Sequence, residues 1–343
     1  MSRAEQANLA ALCAALKGEI QHGVEWTAMI ALANRTLVTP VLASTLAGHD
    51  CIPEEVREFL DHIAARTRAR NEAMRAQLED AADALAQAGL QPVLLKGAQF
   101  LADGSQASGE RLFADLDLLL PRSQEEQAVA ALGRKGFTRD SSSVSPEDGM
   151  NLKRESDAGG LDLHFRLRAL PGAPGYDELL PFTVPATVGN SEVLALNHSA
   201  QAAVLIAHDQ IQERDYWCGL IDLRHMLDLH QMTQRHGPLD IEALHRLFPT
   251  GASRRALDTQ LLTASRLFGM PLPPDWRPRS WARVQAARRE WQLARPGAMP
   301  LLTAASLVAD LPALASPLAA LPDWRYRARY LRRMFASRKP TKV

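Results

Sequence analysis

The first ninety residues carry apolar side chains at the spacing of an α-helix. Leu9, Leu12 and Leu16 recur every three to four positions and so share one helical face. Pro53 followed by two glutamates is typical of a helical first turn. The pattern that ends at Gly89 indicates a long helix with a glycine C-cap. Residues 1–89 are therefore predicted to form an N-terminal helical region.

The period changes at Leu90, where the pattern becomes that of short strands. The run LQPVLL leads through Lys96-Gly97 into the helical stretch AQFLAD, which predicts a strand, a turn and a helix. A second apolar run, ADLDLLL, is ended by a proline. In LDLHFRL (161–167) polar and apolar side chains alternate, so each set lies on one face of a strand. Residues 90–185 are predicted to form a small α/β core.

Helical spacing returns after about residue 185. The stretches HSAQAAVLIAHDQI and GLIDLRHMLDLHQMTQRHG both have it, and Gly237-Pro238 ends the second. Residues 186–343 are predicted to form a C-terminal helical region with a basic tail. The expected fold class is α+β, in which a small mixed sheet forms the core and N-terminal and C-terminal helical lobes flank it.

Composition indicates a folded protein without an overall charge preference. Of 343 residues, 46% are hydrophobic and 23% charged, which is typical of globular chains. The 39 basic and 39 acidic residues cancel, so a nucleic-acid partner is not expected. From Trp324 onward the chain has eight Lys or Arg and no acid. We interpret this tail as a solvated helix with a frayed end; contact with phosphate or an acidic surface is the alternative.

Neither a disulfide framework nor a membrane segment is indicated. Cys13, Cys51 and Cys218 lie far apart and lack CxxC spacing, which fits a reducing, cytoplasmic localisation. The N-terminus interleaves acid and amide groups with apolar ones, unlike a signal peptide. The most apolar stretch, residues 299–322, is interrupted by Asp310 and several prolines. We expect packed helical hairpins there and no membrane span.

The second strand carries a pair of acids suited to a metal. Asp115 and Asp117 are two apart, so both carboxylates project from one face, about 6 to 7 Å apart along the strand. Magnesium takes a few carboxylates together with phosphate oxygens and water. Such pairs also end strands in proteins that bind nothing, so the pair alone is not specific.

A third acid makes the pair more informative. Asp162 lies on the polar face of LDLHFRL beside His164 and Arg166. If this strand neighbours the strand of Asp115 and Asp117, the three carboxylates converge. Three carboxylates can hold two divalent ions about 3.5 to 4 Å apart, an arrangement that stabilises both the attacking and the leaving oxygen in phosphoryl transfer.

The turn between the first strand and its helix is suited to phosphate. Lys96-Gly97 would bring flexible backbone, a helix N-terminus and a positive charge to the same strand ends. The alternative is structural: Gly97 permits a tight turn and Lys96 is a surface residue.

These motifs carry a family resemblance. The run LLKGAQFLADG through RLFADLDLLL, followed about 45 residues later by LDLHFRL, resembles the uncharacterised bacterial nucleotidyltransferase-like family of the polymerase-beta-type nucleotidyltransferase superfamily. The resemblance extends over most of the chain, to about residue 270. Superfamily members usually have Gly-Ser where this chain has Lys96-Gly97, so the phosphate-binding turn departs from the wider pattern while matching the nearer family.

The resemblance implies roles for the residues that match its motif. It implies metal ligands at Asp115 and Asp117, and at Asp162 a third carboxylate that ligates metal or accepts the proton of the attacking hydroxyl. Gly97, with Lys96, would face the phosphates of the nucleotide. The implied cofactor is Mg²⁺, with two ions, and the implied substrate is a nucleoside triphosphate, with ATP as the first choice.

Two further residues have an open role. Arg111, four residues before Asp115, would neutralise phosphate charge or is an ordinary surface arginine. One role for His164 is to orient Asp162 or the substrate. The alternative is a structural hydrogen bond inside the sheet.

The function implied is magnesium-dependent transfer of a nucleoside monophosphate to an unidentified acceptor, which is a small molecule, a sugar, a peptide or a protein. One alternative is a non-catalytic nucleotide-binding or regulatory protein on the same fold. Another is a phosphotransferase that uses the same metal site as a kinase would. P-loop, α/β-hydrolase and Rossmann motifs are missing from the sequence, which argues against those enzyme classes.

A histidine-rich segment invites comparison with metal-binding His-Asp phosphohydrolases. His208-Asp209 lies between His198 and Asp222. On one continuous helix, however, His198 and His208 would point in different directions, because ten residues at about 100° each do not complete whole turns. Packing or capping roles are therefore the expectation for this segment.

Overall fold

The structure is a computed structural model that describes residues 3–20, 22–104, 109–140, 149–273, 275–293, 295–311, 318 and 323–335. The chain divides into two compact units. One comprises residues 40–204, and the other comprises residues 1–39 and 205–343. Residues 40–89, which their pattern assigns to the N-terminal helical region, thus pack with the α/β core. The boundaries at residues 89 and 185 stay a prediction about sequence regions.

The unit of residues 40–204 contains a mixed sheet with helices. Its strands are β1 (Val93–Leu95), β2 (Asp115–Leu119), β3 (Thr138–Arg139), β4 (Gly149–Lys153), β5 (Gly160–His164), β6 (Thr183–Val188) and β7 (Ser191–Leu196). Its helices are α3 (Thr39–Leu46, which begins at the boundary), α4 (Glu54–Gln87), α5 (Lys96–Asp103), α6 (Glu125–Arg134), α7 (Tyr176–Leu179) and the start of α8 (His198–Ala207). The predicted α+β class is confirmed.

The seven strands pair in the order β3-β4-β5-β2-β1-β7-β6. β2 runs antiparallel to β1 and parallel to β5, so it lies in the middle of the sheet. Every residue of β1 is buried, and so are the last four of β2, which explains why both segments are continuous apolar runs. β5 has one buried face, formed by Leu161 and Leu163, and the predicted alternation along this strand is confirmed.

Polar side chains of the long helix α4 hold the segments that lead into β2 and β5. Asn71 donates to the carbonyl of Arg111 at 2.7 Å, and Gln77 donates to the carbonyl of Gly159 at 2.9 Å. A Cβ on Gly159 would lie 2.4 Å from the carbonyl oxygen of Ala114, so only glycine allows β2 and β5 to start this close together. The helix ends as predicted, with Gly89 at φ +71°.

The unit of residues 1–39 and 205–343 is helical in the residues described. It contains α1 (Arg3–Ala15), α2 (Trp26–Arg35), a π-helical turn (His208–Gln212), α9 (Asp215–Cys218), α10 (Leu223–His236), α11 (Ile241–Leu247), α12 (Gly251–Phe268), α13 (Ser280–Leu293), α14 (Met299–Ala309) and a last helix (Trp324–Phe335). Among all described residues, no helix is both long and apolar enough to cross a membrane.

Two predictions for the C-terminal region fall partly outside the described residues. The helical hairpins proposed for residues 299–322 include α14, whereas residues 312–317 and 319–322 are not described. The basic tail begins with the helix Trp324–Phe335, and its last eight residues, 336–343, likewise lie outside the described residues.

Candidate functional site

Strands β2 and β5 bring two of the predicted acids side by side. Asp117 pairs directly with Asp162 in the parallel register of these strands, and neighbouring strands lie about 4.8 Å apart. The expectation that the two strands are neighbours is therefore confirmed. Ligand atoms of Asp117, Asp162 and His164 all lie within 4.8 Å of one another. Residues from two strands that are distant in sequence thus form one compact polar group.

Asp117 is the buried centre of this group. Its carboxylate is almost inaccessible to solvent, and its Oδ1 accepts from Lys96 Nζ at 2.8 Å and lies 2.8 Å from His164 Nε2. Burial favours the neutral acid, but the charge of Lys96 and the contacts with His164 outweigh it and hold the pKa of Asp117 well below its usual value. Asp117 is therefore an anion at neutral pH and carries a cation beside it.

Asp162 has the opposite electrostatic environment. Its side chain is partly buried, and burial together with the negative charges of Asp117 and Asp115 raises the pKa of Asp162 to about 6. A carboxyl group poised near neutrality can accept a proton during a reaction, because it is basic yet still mostly ionised at pH 7.

Asp115 opens β2 and is exposed to solvent. It lies outside the group of ligand atoms within 4.8 Å, although it shares a strand face with Asp117. Its charge still acts on the group, because it raises the pKa of both Asp162 and Lys96. The three acids therefore form one electrostatic site in which Asp115 is the solvent-facing member.

Lys96 has a backbone conformation that is rare for a side chain of its type. It is the first residue of α5 and has φ +45°, in the left-handed region. The side chain of Gln201, on α8, binds both of its backbone groups: Lys96 N donates to Gln201 Oε1 at 3.2 Å, and Gln201 Nε2 donates to the Lys96 carbonyl at 2.9 Å. These two bonds stabilise the strained backbone of Lys96, whose ammonium donates to Asp117.

A second glutamine holds α5 in the same manner but does not contact Lys96. Gln99 Nε2 donates to the carbonyl of Leu196 at 2.7 Å, and Leu196 N donates to Gln99 Oε1 at 3.1 Å. The helix is thereby fixed to the end of β7. The position of the Lys96 turn thus depends on two amide side chains that each pair with one backbone residue.

Gly97 and Arg111 lie next to each other beside the start of β2. A Cβ on Gly97 would come within 3.2 Å of the Phe113 ring and 3.6 Å of Arg111 Nη1, and Gly97 itself has no positive φ. The missing side chain of Gly97 therefore allows α5 to pack closely on β2. The left-handed backbone conformation of the turn is adopted by Lys96 and not by Gly97. Arg111 is buried between the rings of Phe100 and Phe113, at 5.3 and 5.0 Å, so the surface-arginine alternative is wrong.

The donor atoms fit a hard divalent cation. Carboxylate oxygens are the ligands that magnesium prefers, and the neighbouring strands β2 and β5 supply them from Asp115, Asp117 and Asp162. Lys96 already supplies one positive charge to the buried carboxylate of Asp117. His164 contacts Asp117 on the neighbouring strand, which agrees with the alternative of a structural hydrogen bond inside the sheet, and this contact orients the central carboxylate.

Sequence reasoning missed Gln201, which is 105 positions from Lys96 in the chain. The available signal was a single amide in the apolar run AQAAVLIA, since a buried polar side chain in such a helix must find a partner.

Comparison with known proteins identifies a family. A family model described as an uncharacterised nucleotidyltransferase matches residues 22–269, which is more than half of the chain and contains every residue of the candidate site. No curated protein and no solved structure matches the chain.

Proposed function

The chain belongs to the uncharacterised nucleotidyltransferase family, and we therefore propose that it transfers a nucleoside monophosphate from a nucleoside triphosphate to an acceptor with the help of magnesium. Family membership makes it an enzyme of the nucleotidyltransferase class, which disfavours the non-catalytic alternative. ATP is the first choice of nucleotide. The main support for the proposal is that Asp117 pairs directly with Asp162 on the neighbouring strand while Lys96 donates a hydrogen bond to Asp117.

We assign metal binding to the acids of β2 and β5. Asp117 is ionised and held in place by Lys96 and His164, and Asp162 lies beside it on the next strand. Asp115 presents its carboxylate to solvent, from which the metal-nucleotide complex would arrive. Magnesium held by these groups would neutralise the negative charge of the triphosphate.

Asp162 is our candidate for the proton acceptor. The acceptor's oxygen attacks the α-phosphorus, the bond between the α-phosphorus and the bridging oxygen breaks, and pyrophosphate leaves with that oxygen. The attacking hydroxyl must lose a proton in this step. Asp162, with its pKa raised to about 6, can take that proton at neutral pH.

Lys96, Gly97 and Arg111 are our candidates for holding phosphate. Lys96 brings an ammonium to the site as the first residue of α5, and Gly97, the second residue, adds no side chain beside it. Arg111 lies immediately next to Gly97 with its guanidinium between two aromatic rings, which fixes its direction. The triphosphate would therefore meet two cations beside the three acids.

The acceptor is proposed only as a class. Hydroxyl or phosphate groups on a small molecule, a sugar, a peptide or a protein all provide the oxygen that the reaction requires. A candidate panel should contain all four.

Labelled nucleotide tests this function directly. The protein is incubated with magnesium, the acceptor panel and ATP labelled at the α- or the γ-phosphorus. The proposal predicts that the α-label is found on an acceptor and the γ-label in pyrophosphate. Transfer of the γ-label with release of ADP would instead establish the phosphotransferase alternative.

Two variants make the result specific to the site. Asp115→Asn removes a solvent-facing acid of the site, and Asp177→Asn removes an exposed acid on α7 as a matched control. We expect Asp115→Asn to abolish pyrophosphate release and Asp177→Asn to retain it. Equal release by both variants would overturn the assignment of the site.

A further inference from the structure

A second group of histidines and acids lies in the unit of residues 1–39 and 205–343. Ligand atoms of His208, Asp209 and His225 are all within 4.8 Å of one another. Asp209 Oδ1 lies 3.3 Å from His208 Nδ1 and 2.8 Å from His225 Nδ1. Asp222 adds a carboxylate, with its Oδ2 at 3.8 Å from His225 Nδ1. Two imidazoles and the Asp209 carboxylate thus face one point, and the Asp222 carboxylate lies beside His225 at the edge of this group.

We propose that His208, Asp209, Asp222 and His225 form a structural metal centre for a first-row divalent cation, with zinc as the preferred ion. In a tetrahedral zinc site with bonds of about 2.0 to 2.1 Å, neighbouring ligand atoms are about 3.3 Å apart. The three measured separations, 2.8, 3.3 and 3.8 Å, lie on either side of that value. Imidazole nitrogens also favour zinc over magnesium.

The local backbone explains how neighbouring residues both reach the site. The α-helical turn of α8 ends at Ala207, and residues His208–Gln212 continue as a π-helical turn. The wider turn changes the direction of successive side chains, and such turns occur frequently at functional sites. His208 and Asp209 are the first two residues of this turn. Because of this change, the calculation for one continuous α-helix does not apply beyond Ala207.

Asp222 has one oxygen committed to the fold and the other turned to the site. Its Oδ1 accepts from the backbone N of His225 at 3.1 Å and so caps α10. Its Oδ2 is the atom that lies near His225 Nδ1. The capping role expected from the sequence is present, and it also fixes the direction of the second oxygen.

A buried network holds the carboxylate of Asp209, which is fully buried. Gln260 Nε2 donates to Asp209 Oδ2 at 3.3 Å, and Arg289 Nη1 donates to Gln260 Oε1 at 3.1 Å. Oδ2 is thereby occupied, which leaves Oδ1 directed at both histidines. Outer hydrogen bonds of this kind orient the ligands of protein metal sites.

The competing account is a hydrogen-bonded His225–Asp209 pair without metal. That account needs one imidazole, whereas two imidazoles direct Nδ1 at the same oxygen. In it, Arg224 Nη2 donates to His225 Nε2 at 3.4 Å. A metal on Nδ1 leaves the proton on Nε2, so the partly exposed Arg224 side chain must turn away. The account with metal and the account without it therefore predict different positions for the Arg224 side chain.

The centre would connect the π-helical turn to the N-terminus of α10. All four ligands come from the protein, and only His208 keeps appreciable exposure, at 24% of its side chain. A closed set of ligands is typical of structural rather than catalytic zinc. This inference does not rest on the proposed nucleotidyl transfer, because neither the residues nor the test involve Asp115, Asp117 or Asp162 as ligands.

Zinc binding to the full-length protein tests the proposal. Metal-free protein is titrated with zinc, and metal content is measured after dialysis for the wild type and for His208→Ala. His208 is chosen because its partial exposure makes misfolding on substitution less of a concern. His236→Ala, which removes an exposed histidine at the end of α10, is the matched control, and Asp162→Asn separates this site from the strand acids.

We expect one zinc per chain in the wild type, His236→Ala and Asp162→Asn, and at least a tenfold weaker affinity in His208→Ala. Cobalt substituted into the wild type should give the intense visible absorption of a tetrahedral site. Any of three results would overturn the proposal. The wild type retains no zinc and shows no tetrahedral cobalt spectrum, His208→Ala retains zinc with the wild-type affinity, or Asp162→Asn loses the zinc.

Discussion

Gln201 binds both backbone groups of Lys96, accepting from its N–H at 3.2 Å and donating to its carbonyl at 2.9 Å. Lys96 in turn has φ +45° and places its ammonium 2.8 Å from Asp117 Oδ1. A residue on α8 therefore determines the backbone of the residue that neutralises the central acid. The site depends on a helix that contributes no charge to it.

Replacing Gln201 should reduce nucleotide binding as well as stability. Gln201→Leu removes both bonds from partly buried backbone groups of Lys96, and an unsatisfied polar group costs up to about 3 kcal/mol when it is fully buried. Without the amide, Lys96 can relax from the left-handed region and move its ammonium. We expect a lower unfolding free energy in urea and a several-fold weaker affinity for Mg·ATP in calorimetry.

Gln99→Leu is the matched control for that variant. It removes an equivalent pair of bonds, to Leu196, without touching Lys96. It should lose at least as much stability, because the bonds of Gln99 are buried, and keep more of the nucleotide affinity than Gln201→Leu does. Equal losses of affinity in both variants would show that α5 as a whole matters, and that the Lys96 backbone has no particular role.

The two acids of β2 should separate stability from function. Asp117→Ala leaves Lys96 and His164 without their buried anion, and breaking a buried pair costs about 3 to 5 kcal/mol. Asp115→Ala, at an exposed position, should change the unfolding free energy by less than about 1 kcal/mol. Both should lose pyrophosphate release. Retention of activity by Asp115→Ala would refute its assignment as a ligand.

Lys96→Met should affect metal and nucleotide in opposite directions. The ammonium lies 2.8 Å from the carboxylate oxygen that a cation would use, so in the absence of nucleotide it competes with that cation. Removing it should raise the affinity for Mn²⁺ alone and lower the affinity for the metal-nucleotide complex. Titration of Mn²⁺ by electron paramagnetic resonance, with and without ATP, measures both. A fall in both affinities would contradict the competition.

The stability of the metal-free protein should depend on pH through Asp162. Its pKa is raised to about 6 in the folded protein, whereas an unfolded aspartate titrates near pH 3.9. Between those values the unfolded chain has lost its proton and the folded protein keeps it. The contribution of Asp162 to the unfolding free energy is therefore fully present below about pH 4 and is lost as pH rises through about 6.

Asp162→Asn removes that dependence, since asparagine does not titrate. Relative to the wild type, the unfolding free energy of the variant should rise by about 1 to 3 kcal/mol between pH 4 and pH 7. Urea unfolding at both pH values, with chelator present, measures the difference. A difference that stays constant with pH would show that Asp162 ionises at its ordinary pKa in the folded protein.

The strand acids of the site are predictable from sequence because their signals are local. A carboxylate in an apolar strand is costly to bury, so Asp117 in ADLDLLL indicates that a cation or hydrogen bonds compensate its charge. Period-two alternation places Asp162 and His164 on one face. The sequence predicts the convergence of Asp117 and Asp162 only on the condition that their strands are neighbours. Local pattern does not decide this, because strand order is a property of the whole sheet.

Relationships between distant residues cannot be read from local pattern. The contact of Gln201 with Lys96, the burial of Arg111 between aromatic rings, and the preference of His164 for Asp117 each depend on how elements pack. The grouping of two histidines around Asp209 depends on a π-helical turn, which the spacing of apolar and polar residues does not predict. Residues 40–89 likewise pack with the core although their pattern is helical.

Binding of Mg·ATP at the acids of β2 and β5 can be measured by calorimetry with a non-hydrolysable ATP analogue and magnesium. We expect binding by the wild type and by Asp177→Asn, and at least tenfold weaker binding by Asp115→Asn and Asp162→Asn, as for loss of a metal ligand or its support. Equal affinity in the wild type and both site variants would contradict it.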